Sequence, residues 1–273
     1  MGKDRRTRRR EQYALSCKND SGENNPMKVD LIMAEFGYER KNAGGNTFSC
    51  SRLDPTLSTF KRCFPEANVI LYTDMDIESD EITVKKVEPP FDKDRPRYGW
   101  ECSDYYRFVG LLESEADVAI YMDSDFVICS PEFRTLPDIS KRFSVCVPQN
   151  VRGQVRVDGM EGAGSNWNID EDESRGNCTA LNASPVSLYT SCPRGRKLIE
   201  CVKNQMLDNP TRGPLAIWRG VWESGVYPCV LPLNWCLTAN KIGTPEKMLN
   251  GRRNEICLHV GHKEVQEFYG VEL

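Results

Sequence analysis

The sequence of 273 residues lacks several features that would each indicate a particular class of protein. No apolar run reaches the about 18 residues that a transmembrane helix needs, and the basic start is not followed by the apolar segment of a secretory signal peptide. None of the twelve cysteines forms a Cys-x-x-Cys pair, which argues against a zinc site. The net charge of −4 gives no overall basic field for nucleic acid. We therefore expect a soluble cytoplasmic protein with reduced cysteines, no membrane span and no nucleic-acid partner.

The first 26 residues differ in character from the rest of the chain. Residues 3–10 are strongly basic, and residues 1–26 have no apolar periodicity. Segments with this composition bury too little apolar surface to fold. We expect a flexible basic tail over residues 1–26 and one domain over residues 27–273.

Strand-like and helix-like patterns alternate along this domain, which indicates an α/β fold with a mixed, mostly parallel central sheet flanked by helices. Strands are predicted at 29–34, 69–72, 117–122, 143–147, 185–189 and 255–259. Helices are predicted from Asp54, from Ser103 or Asp104, and over Arg194–Leu207. Residues 148–180 and 211–235 are rich in glycine, proline or polar residues and are expected to be irregular.

The run Val-Ala-Ile-Tyr-Met-Asp-Ser-Asp at 118–125 ends an apolar strand in two aspartates. Residues i and i+2 of an extended chain point to the same side, about 7 Å apart. Two carboxylates placed in this way suit a Mg²⁺ or Mn²⁺ ion that also holds phosphate oxygens. The Asp-x-Asp spacing alone is weak, because it occurs at 74/76, 92/94, 123/125 and 170/172. Of the other three copies, only 74/76 also ends an apolar strand.

Three further residue types complete a possible site. The two histidines, His259 and His262, flank Gly261 at the end of a strand, and Lys263 follows. Imidazole suits Mn²⁺, and lysine offers a positive charge to phosphate. Arg107 lies on the helix before the Asp-x-Asp strand, where its forked donors could bind phosphate or sugar oxygens, or remain solvated.

These motifs, in this order over residues 28–265, resemble the metal-dependent glycosyltransferases of GT-A fold. They are most similar to the retaining, glycogenin- and galactosyltransferase-like group. The matching motifs are Arg107 with Asp123 and Asp125, Asn182-Ala183-Ser184, Leu231-Pro-Leu-Asn-Trp235 and Leu258-His-Val-Gly-His-Lys263. The order of motifs is also similar to that of glycosyltransferases encoded by large DNA viruses of algae, which suggests viral protein glycosylation.

The resemblance implies a single GT-A-type domain with a Rossmann-like nucleotide-binding half. It implies that Asp123, Asp125 and His259 hold Mn²⁺ or Mg²⁺. It also implies contacts to a nucleotide sugar by Asp123, Arg107, Lys263, His262, Asn182, Asp74, Tyr38 and Tyr72. The expected reaction transfers a hexose from a UDP-sugar, such as UDP-glucose, to a hydroxyl of a glycan or glycoprotein, with retention.

Two departures leave the stereochemistry open. Ser184 replaces the glycine of the family's Asn-Ala-Gly motif, and residues 212–216 lack its acidic-glutamine pair. Asp125 and Arg107 are candidate catalytic residues, and an inverting enzyme would need a base such as Glu223, Asp170 or Asp172.

Two other functions remain possible. A phosphatase of the haloacid dehalogenase type would use Asp123 as nucleophile, but its motif belongs on the first strand and needs a later acidic pair. A non-catalytic nucleotide-sugar binding protein would not need three metal ligands.

Overall fold

A computed structural model describes residues 27–36, 53–95, 98–149, 181–208, 210, 213–237, 254–261 and 267. The predictions for the tail at 1–26 and for Tyr38, Asp170, Asp172, His262 and Lys263 lie outside these residues, as does most of the stretch 148–180.

Nine strands and five α-helices are found among the described residues. The strands are β1 (Val29–Glu35), β2 (Asn68–Thr73), β3 (Thr83–Lys86), β4 (Val118–Tyr121), β5 (Phe126–Ile128), β6 (Val145–Pro148), β7 (Val186–Tyr189), β8 (Cys229–Leu231) and β9 (Cys257–His259). The helices are α1 (Asp54–Cys63), α2 (Tyr98–Glu113), α3 (Leu136–Phe143), α4 (Pro193–Asp208) and α5 (Gly213–Ser224). Short 3₁₀ turns lie at Pro131–Thr135 and Leu233–Trp235.

Seven strands form the central sheet in the order β3-β2-β1-β4-β7-β6-β8. The four pairs β3/β2, β2/β1, β1/β4 and β6/β8 are parallel, and β7 runs antiparallel to both of its neighbours. The predicted mixed, mostly parallel α/β sheet is therefore confirmed.

The inner strands are buried on both faces. Every residue of β1, β4 and β6 is buried, and the apolar side chains divide between two core clusters. Continuous burial is typical of parallel strands covered by helices on both sides, which read as unbroken apolar runs. This explains why the strand before Asp123 was visible in the sequence.

Two predictions about helices need correction. Helix α2 begins at Tyr98 rather than at Ser103 or Asp104. Residues Gly213–Ser224, predicted to be irregular, form helix α5. Pro214 lies in its first turn, where a missing N–H costs nothing. A Cβ added at Gly220 would overlap the side chain of Val202, so this glycine serves close packing of α5 on α4.

A second, two-stranded sheet positions the candidate site. Strand β5 follows the Asp-x-Asp turn and pairs antiparallel with β9, with Phe126 opposite His259. This pairing brings the far end of the chain to the carboxyl end of β4. No helix in the described part of the chain is both long and apolar enough to cross a bilayer.

Candidate active site

The turn that carries Asp123 and Asp125 lies between β4 and β5, at the carboxyl edge of the parallel strands. Its backbone groups bond to separate parts of the fold. The Asp123 N–H donates to Ser184 Oγ at 3.0 Å, and the Asp125 carbonyl accepts from the Val260 N–H at 2.8 Å. In open α/β sheets, ligands bind in the crevice outside this edge.

Asp125 and His259 are in direct contact. Asp125 Oδ2 lies 3.0 Å from His259 Nε2, and the two side chains are 15% and 21% exposed. The imidazole also stacks on the ring of Phe126, with centroids 4.6 Å apart and planes 21° apart. The resemblance implied that both residues hold the metal ion, and the structure brings the two side chains together.

Gly261 lets the backbone approach this pair. A Cβ added at Gly261 would overlap Asp125 Oδ2 and would lie 2.9 Å from its Cγ. Any side chain at this position would therefore displace the Asp125 carboxylate.

Asp123 lies in a different set of contacts. Its Oδ1 accepts hydrogen bonds from the Tyr121 hydroxyl at 2.7 Å and from Arg107 Nη2 at 3.0 Å. Both contacts use Oδ1, and among the described residues none is made by Oδ2. The Asp123 side chain is 29% exposed.

Arg107 is buried and bonded to the protein rather than extended into solvent. Nη1 donates to the Ala183 carbonyl at 2.6 Å, and Nη2 lies 2.9 Å from Asp104 Oδ1. Its guanidinium also lies over the Tyr121 ring, 4.3 Å from the centroid. The sequence suggested a contact to phosphate or sugar, whereas here the donors fix Asp123 and the segment around Ala183.

Asp104 joins this cluster to helix α5. Its Oδ2 accepts a hydrogen bond from the Gly213 N–H at 3.0 Å, so it caps α5 from another helix. A Cβ at Gly213 would come within 2.9 Å of Ala183 and 3.0 Å of Arg107. Glycine is therefore needed for the start of α5 to reach the cluster.

Burial and charge fix the protonation of the cluster. Burial alone would lower the pKa of Arg107, but Tyr121 and two carboxylates raise it above the ordinary value. Burial raises the pKa of the Tyr121 hydroxyl well above its ordinary value. Arg107 is thus charged and Tyr121 is a neutral hydrogen-bond donor at pH 7.

Asn182 lies beside the site but bonds to its own surroundings. Its amide nitrogen donates to Cys236 Sγ at 2.9 Å, and its side-chain oxygen accepts from the Ala183 N–H at 2.7 Å. Burial, followed by the charges of Asp123 and Asp125, raises the pKa of the Cys236 thiol. Cys236 is therefore neutral at pH 7.

The other predicted site residues lie apart. Asp74 directly follows β2 and accepts a hydrogen bond from the Tyr98 hydroxyl at 3.1 Å. Tyr72 is 1% exposed, and its hydroxyl donates to Glu113 at 2.8 Å, so it packs in the core. Glu223 is exposed and bonds to Gln205 at 2.8 Å. It lies about 15 Å along α5 from Gly213, given a rise of about 1.5 Å per residue.

The residues fit a divalent cation in part. Within the described residues, no group of three or more His, Cys, Asp or Glu side chains is close enough to hold a metal ion. The Asp125–His259 distance does suit one, because two ligands on adjacent corners of an octahedron with bonds of about 2.1 Å are about 3.0 Å apart. Mg²⁺ also commonly takes only one or two carboxylates and leaves the other positions to water and phosphate.

The site contacts of three residues were not predicted: Tyr121, Ser184 and Asp104. Tyr121 carried a signal, because it shares the strand parity of Asp123. Asp104 carried a weaker one, since it lies at i−3 from Arg107 on the same helix. Nothing local indicated that Ser184 receives the Asp123 N–H.

The sheet order, with an antiparallel β7 inside an otherwise parallel arrangement, and the structural match that follows show a single-domain GT-A fold. The galactosyltransferase LgtC, solved in complex with donor and acceptor sugar analogs, is similar with a TM-score of 0.50 and 10% identity over 89% of this chain and 94% of that chain. Mouse xyloside xylosyltransferase 1 matches with a TM-score of 0.47 and 12% identity, over 85% of this chain and 97% of that chain. A 4-diphosphocytidyl-2C-methyl-D-erythritol synthase from Anaerococcus prevotii matches with a TM-score of 0.43 and 15% identity, over 82% and 96%.

The likeness to LgtC establishes the fold, and at this identity it establishes the fold alone. No protein-family model matches the chain. No curated protein matches it.

Proposed function

We propose that this protein is a glycosyltransferase that moves a hexose from a UDP-sugar to a hydroxyl of a glycan or glycoprotein. The observation that carries the proposal is the Asp125–His259 pair, 3.0 Å apart beside Asp123 at the carboxyl edge of the parallel strands. Nucleotide ligands bind at this edge in open α/β folds. The GT-A fold shared with LgtC supports the same proposal.

Asp125 and His259 would hold Mn²⁺ or Mg²⁺, together with Oδ2 of Asp123. Such an ion stabilises the negative charge that develops on a diphosphate leaving group. His262 and Lys263, which follow Gly261 in the sequence, are proposed to add contacts to the diphosphate.

Arg107 acts on the site through Asp123. Because Nη1 is bonded to the Ala183 carbonyl and Nη2 to Asp123 and Asp104, its role is to orient the Asp123 carboxylate. With Oδ1 occupied, Asp123 would meet the ion or the donor through Oδ2 alone. This leaves the first aspartate partly neutralised and the second, Asp125, as the main anionic ligand.

The nucleotide would lie over the carboxyl ends of β1 and β2. Asp74 and Tyr38 are proposed as neighbours of the base. Asn182 is proposed to face the sugar, because its segment ends against Arg107 and Cys236. Glu223 bonds to Gln205 about 15 Å along α5 from Gly213, which makes it a poor candidate base, and we propose that the reaction is retaining.

The test is release of UDP from a panel of UDP-sugars, measured with and without Mn²⁺ and in the absence of acceptor. Asp125→Asn should lower the rate at least about 100-fold, because residues that only orient a metal ligand are already worth about 10–100-fold. Asp94→Asn is the matched control, since it makes the same change in the exposed Asp-x-Asp copy at 92/94. Equal rates for the two variants, or no metal-dependent release by the wild type, would contradict the proposal.

A further inference from the structure

The turn at 122–125 carries both aspartates and is held mainly by hydrogen bonds to other segments of the chain. Strand β4 ends at Tyr121, and β5 begins at Phe126. Between them, the ladder of β1 provides only the bond from the Met122 N–H to the Ile32 carbonyl. Buried backbone groups must find partners elsewhere when a ladder ends.

A single buried hydroxyl, that of Thr56, lies against carbonyls on both sides of Asp125, and its one hydrogen is shared among them. Thr56 Oγ1 lies 2.8 Å from the Ser124 carbonyl, 2.7 Å from the Phe126 carbonyl and 3.3 Å from the Asp123 carbonyl. It also accepts a hydrogen bond from the Phe126 N–H at 3.2 Å. Thr56 has no exposed surface and lies in the first turn of α1.

The hydroxyl therefore fixes the backbone on both sides of Asp125. It contacts the residue before Asp125 and the residue after it. The Asp125 carbonyl is itself bonded to Val260, next to His259. Loss of the Thr56 hydroxyl would let the turn shift, and this shift would move the Asp125 carboxylate relative to the His259 imidazole.

We infer that Thr56 is a positioning residue for the Asp125–His259 pair. It touches no reacting atom, and it acts by holding the turn that presents Asp125. The inference rests on the proposed metal and donor site, and it names a residue of α1, which the sequence motifs do not include.

Helix α1 offers a matched control one turn further on. Thr59 is 6% exposed, and its hydroxyl bonds to the Ile128 N–H at 3.2 Å and to the Pro55 carbonyl at 2.7 Å. Thr59→Val also removes a buried α1 hydroxyl that contacts β5, but its contact is with Ile128, away from the turn. Both valine variants should therefore lose stability, but only Thr56→Val should bind Mn²⁺ more weakly.

The experiment measures the dissociation constants of Mn²⁺ and of UDP-glucose with Mn²⁺, by calorimetry, for the full chain. Thr56→Val should weaken binding of Mn²⁺ about tenfold or more, as expected for a residue that orients a metal ligand. Thr56→Ser, which keeps the hydroxyl, and Thr59→Val should stay within about twofold of the wild type. Hydrogen exchange should show faster exchange of the Phe126 amide in Thr56→Val alone.

The outcomes separate this inference from the proposed function. Thr56→Val with wild-type Mn²⁺ affinity, or Thr59→Val with an equal loss, overturns the positioning role. A wild type that binds Mn²⁺ but no UDP-sugar contradicts the proposed function, and the Mn²⁺ comparison then still decides the role of Thr56. A wild type that binds neither overturns both.

Discussion

Asp125 and His259 lie in distant parts of the chain, yet their side chains meet at 3.0 Å. The contact exists because β5 pairs with β9 and places Phe126 opposite His259. The second aspartate of the Asp-x-Asp turn, Asp125, thus contacts an imidazole, while the first, Asp123, is bonded to the guanidinium of Arg107. The two aspartates have different chemical surroundings, and their variants should behave differently.

The buried pair of Arg107 and Asp104 should be costly to break. Arg107→Met removes the cation and leaves a carboxylate that is 4% exposed, which typically costs about 3–5 kcal/mol. We expect this loss in the free energy of unfolding, measured by denaturant titration. Lys203→Met is the control, because Lys203 and Glu200 have the same i, i+3 spacing but Glu200 is 51% exposed. That change should cost less than about 1 kcal/mol, and similar losses in both variants would contradict the account.

Gly261→Ala should impair binding of metal and donor, because the new Cβ would displace the Asp125 carboxylate. The dissociation constant for Mn²⁺ should rise at least about tenfold. Gly225→Ala is the control, because it should lower stability and leave Mn²⁺ binding unchanged. Gly225 has φ of 67°, and a Cβ added there would have no atom within 4 Å. Alanine should therefore cost about 1–2 kcal/mol of stability because of the left-handed backbone alone. Its Mn²⁺ affinity should remain that of the wild type, and an unchanged affinity in Gly261→Ala would refute the contact with Asp125.

Cys192 should be the most reactive cysteine among those described. The Ser144 hydroxyl, 3.0 Å from Sγ, and backbone N–H groups at the start of α4 lower the pKa of this half-buried thiol. A lowered pKa means more thiolate at pH 7, so alkylation by iodoacetamide should be fast and should reach half its maximal rate at a lower pH than for free cysteine. Burial raises the pKa of Cys146 to about 12, and this thiol should react slowly. Mass spectrometry of the alkylated peptides measures both rates, and faster alkylation of Cys146 than of Cys192 would contradict the prediction.

Much of the fold could be predicted because its inner strands are continuous apolar runs. The segments β1, β2 and β4 lie where the sequence predicted strands, with ends that differ by a residue or two. Helix α5 was missed because Gly213, Pro214 and Gly220 resemble helix breakers. Their actual roles depend on the tertiary structure, since Gly213 lies against Arg107 and Gly220 lies against Val202.

Asp125 and His259 were brought to attention by the ordered set of motifs, because the Asp-x-Asp spacing alone is weak. The structure brings these two side chains together, and their role as metal ligands stays a prediction. The burial of Arg107 and the capping of α5 by Asp104 were not visible, since both depend on contacts between distant segments. Tyr72 shows the reverse error, as a strand-end aromatic predicted near the base that packs instead against α2.

The measurement that tests the central proposal most directly is a thermal-shift titration of UDP-sugars with and without Mn²⁺. Ligand at about 100 times its dissociation constant stabilises the folded state by about 2.7 kcal/mol. For a chain of this size, that corresponds to a rise in Tm of about 5 °C or more. This rise is expected for at least one UDP-sugar only when Mn²⁺ is present, and it should be lost in Asp125→Asn. The same rise without Mn²⁺, or no rise for any UDP-sugar in the panel, would contradict the proposal.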